Sequence, residues 1–165
     1  MKKLSLILIL FFVGLITPAI CIVKNIEFRQ NCGGYLKQAA DANTVEIALE
    51  RVDKALAYIE KRGMTNGYTS VVYRTEDENV GFWYTNIKAC KHELESCLQG
   101  TQLEKSNVLI KVRESLTDNG DSGTVLTVPN GISRYPNNTM FAILLFLSAV
   151  ITGIGCLFLI RDFIL

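Results

Sequence analysis

The chain has 165 residues, 49% of them apolar, with 17 Lys and Arg against 16 Asp and Glu. A formal net charge of +1 excludes a strongly basic nucleic-acid binder and a disordered acidic tail. The mean hydropathy of +0.25 is high for a soluble domain of this size, and two segments account for it: 16 of the 20 residues 4–23 and 17 of the 21 residues 140–160 are apolar.

Residues 1–23 open with Lys2 and Lys3, continue through an apolar run and reach Thr17, Pro18 and Ala19. That is the order of a secretory signal, with Thr17 and Ala19 at the −3 and −1 positions of a cleavage site. The apolar stretch continues through Val23, which gives it the length of a retained anchor. Both readings stay open. Cys21 fits a lipidation site poorly, because Pro18, Ala19 and Ile20 precede it. In either case the two lysines hold the N-terminus in the cytoplasm and place residues 24–138 on the extracytoplasmic side of the cell membrane.

Residues 24–122 read as a small antiparallel helical bundle. The first helix is expected near 25–41, where Phe28, Cys32, Tyr35 and Ala39 are spaced for one face, although Gly33 and Gly34 weaken it. Capping-box spacings start three more helices, at Asn43 with Glu46, Thr75 with Glu78, and Thr101 with Glu104. Gly63, Gly100 and Gly120 are the matching stops. The helices are thus predicted over 44–62, 76–99 and 102–119. Val45, Ala48, Val52, Ala55 and Ile59 form the apolar seam of one, and Val80, Trp83, Ile87, Cys90, Leu94 and Cys97 that of the next. Residues 68–73 and 124–128 alternate like strands, and either pair into a minor two-stranded ribbon or run as a loop and an extended stalk.

Residues 123–138 form that membrane-proximal stalk. Residues 139–160 form a transmembrane helix, since the 21 uncharged residues 140–160 span roughly 30 Å, the thickness of a bilayer core. Residues 161–165 are left as a short cytoplasmic tail, too small for an output domain. Ser148, Ala149, Thr152 and Gly153 give the last helix a face of small residues. Such a face mediates homo-oligomer contacts or packs on the N-terminal helix.

Export makes disulfides plausible, with Cys32, Cys90, Cys97 and Cys21 as candidates. Cys90 and Cys97 lie about 10 Å apart on one helix face and cannot bond each other, so a bridge has to run from Cys32 or Cys21 to that helix. The alternative is that they are small core residues.

Catalytic signals are absent from the inventory. His92 is the single histidine, and it points away from Cys90, so neither a Cys–His pair nor a zinc site with Cys90 and Cys97 is expected. Glu76, Asp77 and Glu78 read as acids offsetting a helix dipole. The turn from Asp118 to Gly123 lacks the closing Glu of a calcium loop. No cofactor and no metal are expected. The unusual stretch is 67–84, where five of the 15 aromatic residues gather. Trp83 is expected in the core, whereas Tyr68, Tyr73 and Arg74 are candidates for contact with a protein partner or ligand. The expected function is a membrane-anchored extracytoplasmic interaction module, or accessory subunit of an envelope complex, without catalysis. The alternatives are a small-ligand sensor acting through a partner and, disfavoured, an envelope enzyme.

Overall fold

The computed structural model describes residues 2–120 and 123–164, and the side chains of residues 9–120 and 123–161. Asp121 and Ser122 of the turn compared with a calcium loop, the side chains of Lys2 and Lys3 and most of the 161–165 tail lie outside the described side chains. The architecture is the expected one, a mainly α bundle with one two-stranded ribbon and an apolar helix at each end.

Helix α1, Lys2–Phe28, continues through Pro18. Proline has no N–H to give the carbonyl four residues back, here that of Gly14. Ser148 of the last helix, α6 (Asn138–Ile164), donates its hydroxyl to that carbonyl. Gly14 has no side chain, and a Cβ there would collide with the Thr152 hydroxyl. Pro18, Gly14, Ser148 and Thr152 are therefore one local solution: a freed carbonyl, a donor from the neighbouring helix, and the space to bring them together. The seam repeats every seven residues on both helices, through Leu10, Gly14, Thr17, Cys21, Lys24 and Phe28 against Phe141, Leu145, Ser148, Thr152, Gly155 and Leu159. A sustained 3.5-residue step keeps two helices in contact along a left-handed crossing. Of the expected oligomer face, Ser148 and Thr152 are used within the chain, whereas Ala149 and Gly153 are exposed.

Beyond Phe28 the same helix continues as a π turn, Arg29–Gly33, and then as α2, Gly34–Ala40. The glycine pair widens the helix instead of ending it. Gly34 donates to the Arg29 carbonyl five residues back, and a Cβ on Gly34 would lie 2.8 Å from that oxygen. The extra residue changes the buried step to Phe28, Cys32 and Leu36, four apart each time, which turns the seam from α6 toward the bundle.

Three further helices complete the bundle: α3 Val45–Lys61, α4 Val80–Ser96 and α5 Gln102–Leu116. Helix α2 packs between α3 and α5, and α4 closes the ring against both. All five seam residues of α3 are buried, as are five of the six of α4. Two of the three starts differ from expectation. Thr44, not Asn43, caps α3 by accepting from Ile47 N. Asn79, not Thr75, caps α4 by accepting from Phe82 N at 3.0 Å, because a short bridge between Tyr68 and Asn79 pulls Glu76–Glu78 into a separate 3-10 turn. The Thr101 and Glu104 capping box forms as expected. So does the stop at Gly63: with φ of +67° it lets its own N–H reach Glu60 O and that of Met64 reach Ile59 O, the doubled bond of a Schellman end.

Gly120 is not a stop. Helix α5 ends at Leu116 and the chain folds back at once as a hairpin, β1 Thr117–Gly120 with β2 Gly123–Leu126, in register Thr117 to Leu126. The ribbon expected between 68–73 and 124–128 is thus formed by 124–126 with the adjacent segment instead. Pairing strands two residues apart in the chain costs far less chain entropy than bringing together segments some fifty residues apart, and Gly120 pairs with Gly123 at the end of the ribbon.

Candidate functional site

The bundle end that meets the α1/α6 pair is the busiest part of the molecule. Phe28 closes the core there, edge-on to Tyr58 at 6.4 Å and tilted on Trp83 at 6.5 Å. Around it lies a polar collar in which Glu27 accepts from Lys24 at 3.1 Å and pairs with Arg62 at the end of α3. These are partly exposed pairs, each contributing no more than about 1 kcal/mol. Their value here is geometric: Arg62 sets the end of α3 level with Glu27.

Just above the collar a groove of about 450 Å³ opens between α4, the end of α5 and the hairpin. Trp83, Ile87 and Leu116, all buried, form its apolar floor, and Val125 of the hairpin is half exposed on its wall. Phe82 stands at the rim, 69% exposed. Consecutive residues on a helix cannot all face inward, so the sequence Phe82, Trp83, Tyr84 had to send one large ring outward. The rim carries Glu76, Asp77 and Asp118 and no Lys or Arg. Trp83 is 6% exposed, and its indole N–H has no acceptor among the described residues. A buried donor without a partner is uncommon.

The three expected contact residues are split. Tyr68 is half-buried and belongs to the loop's own scaffold: its hydroxyl accepts from Asn79 Nδ2 at 3.3 Å and donates to Glu76 at 3.4 Å. The Arg74 guanidinium lies over the Tyr68 ring, 5.2 Å from its centroid. Tyr73 points outward, 74% exposed, and Arg74 is exposed beside it. Glu76 and Glu78 are also engaged within the loop, Glu78 accepting from the Thr75 hydroxyl at 2.8 Å.

The expected disulfide does not form. Cys21, Cys32, Cys90, Cys97 and Cys156 are all free. Cys32 is fully buried on the π turn, which packs on α3, whereas Cys90 faces Ser115 of α5 and burial pushes its thiol above the usual range. Cys97 lies beyond the end of α4, next to Gly100. The inward seams that made the cysteines look like partners face different neighbours. His92 is exposed on α4, in a shallow hollow beside Asp53 and Lys91, while Cys90 is buried. Among the described residues no three His, Cys, Asp or Glu side chains converge as metal ligands.

No family model, no curated protein and no solved structure matches the chain.

Proposed function

We propose that the chain is a two-span membrane protein that carries a helical interaction module on the extracytoplasmic side and performs no chemistry of its own. Both end helices are long and apolar enough to cross a membrane. The bond from Ser148 to the carbonyl freed by Pro18 supports a retained N-terminal helix, because cleavage after Ala19 would strip α6 of its partner. Lys2 and Lys3 support the orientation.

The observation that carries the interaction reading is the groove beside Trp83. An apolar floor under a rim whose charged residues are all acidic suits an apolar protein segment flanked by Lys or Arg. A photo-crosslinking residue at Phe82 or Val125 is expected to capture a protein in native membranes, and Phe82→Asp to abolish capture from position 125. Capture at neither position, in protein that folds, would remove the groove from consideration as a docking site. N-terminal sequencing of mature protein tests the retained span.

A second reading has its own support. The unpaired Trp83 N–H and the direct passage of α1 into the core suit a small-ligand sensor in which a ligand acceptor bonds the indole and the first span relays the change. Saturable quenching of Trp83 emission by a low-molecular-weight extract would favour it over the protein-segment reading.

A further inference from the structure

Residues 71–73 form an apolar tip with no function inside the protein. Val72 is 90% exposed, Tyr73 74% and Val71 44%. The tip follows α3 and precedes α4, so its place along the molecule is set by where those helices end and begin.

Helix α3 descends toward the α1/α6 pair, and Arg62 at its end is paired with Glu27, three residues beyond Lys24. The chain then passes Asn66, whose carbonyl accepts from the Tyr135 hydroxyl at 2.5 Å, and Gly67, where any side chain would strike the same hydroxyl. Tyr135 lies three residues before the first residue of α6. Asn130 lines one hollow with Val71, Val72 and Tyr73 and another with Cys21 and Ile22. The tip therefore sits at the level where the apolar part of α1 ends and α6 begins. At the same level α1 exposes Ile22, Val23 and Ile26, and α6 exposes Met140.

We infer that residues 71–73 insert into the interfacial zone of the bilayer in which α1 and α6 stand, giving the domain a third point of contact with lipid. This rests on the two-span reading above. Valines supply apolar area, and a tyrosine with a ring and a hydroxyl suits the boundary between acyl chains and water. Arg74 beside them, stacked on Tyr68, suits the headgroup layer. The Tyr68 and Asn79 bridge holds the tip's two ends together, so it is presented as a preformed hairpin-like finger instead of a loose loop.

Trp83 is the chain's single tryptophan, so a Trp83→Phe background allows one reporter at a time in full-length protein reconstituted in phosphatidylcholine–phosphatidylglycerol vesicles. Three reporters are compared: Val72→Trp at the tip, Leu157→Trp on the exposed face of α6, and Ile47→Trp at the start of α3, at the opposite end of the bundle. With lipids brominated near the headgroup end of the chains, emission from position 72 is expected to drop roughly twofold, as interfacial side chains lie ~5–10 Å into the boundary. Position 47 is expected to stay unquenched. Quenching at 157 but not at 72 overturns the inference and leaves the two-span reading intact, whereas absence of quenching at 157 overturns the spans themselves. A photo-crosslinker at Val72 that captures a protein in native membranes, with no lipid quenching, assigns the tip to a protein partner instead.

Discussion

The carboxylate of Glu104 does two jobs within one helical turn. It accepts from the Thr101 backbone N–H at 2.7 Å and from the Thr101 hydroxyl at 2.8 Å, and these bonds hold its carboxyl below the usual range. Glu46 is lowered likewise, first by its own backbone N–H and then by Lys105 across the bundle. A depressed folded pKa stabilises the fold above the unfolded value of 4.5, and that contribution is lost as pH falls through the folded value. Thermal melts from about pH 6 down to about pH 3 are expected to show falling stability, with Glu104→Gln flattening part of the slope. An unchanged slope would mean the cap contributes nothing through its charge. This box was readable because the side chains of Thr101 and Glu104 make their bonds with each other's residue. Asn43 and Thr75 look equally good in sequence, yet each lost its role to a neighbour: Thr44 stands in the extended conformation a cap needs, and Asn79 is positioned by a bridge to Tyr68 that local spacing does not reveal.

At the scale of the element, the glycine pair after Phe28 separates two effects that sequence alone merges. Gly33 has room for a methyl group, its nearest neighbour being the Phe28 ring at 3.5 Å, and its backbone is helical. Gly34 has the Arg29 carbonyl 2.8 Å away. Gly33→Ala is expected to stabilise the protein by about 0.5–1 kcal/mol, through the entropy the unfolded chain loses. Gly34→Ala is expected to destabilise it by about 1–3 kcal/mol, because the π turn has to open or revert. Denaturation of the detergent-solubilised protein measures both, and two changes of the same sign would show that the π turn imposes no demand at Gly34. The periodic seams of α3 and α4 were legible because each faces one side. The hairpin was half legible: 124–126 was read as strand, but its partner 117–120 continued a helical pattern and gave up that propensity to the adjacent turn. The groove was not legible, since its walls come from α4, α5 and the hairpin, and only folding brings Phe82 and Val125 to the same opening.

For the whole molecule, the decisive contact is the one that joins the two ends of the chain. A double-mutant cycle tests it. Gly14→Ala drives a methyl group into Thr152 and is expected to lower stability in detergent by about 1–3 kcal/mol. Combining it with Thr152→Ala, which clears that space, is expected to recover most of the loss. Additive losses would mean that the two positions do not touch. Sequence reading left the small-residue face with two destinations, and the choice between them depended on a carbonyl that Pro18 leaves free one turn away, on the other helix.

The two end helices enter the domain in different ways. Helix α1 passes through its π turn into α2, and Cys32 and Leu36 anchor that stretch in the core without a joint. Helix α6 is reached through residues 127–137, a strap that turns at Gly131 with φ of +74° and holds a 3-10 turn, Ile132–Arg134. The domain is thus joined to α1 by continuous helix and to α6 by a folded strap, pinned through buried Ile132 and the bond from the Tyr135 hydroxyl to Asn66 O. In the two-span arrangement proposed above, the orientation of the domain follows the first span, which enters the core as continuous helix, and the last span serves as its brace.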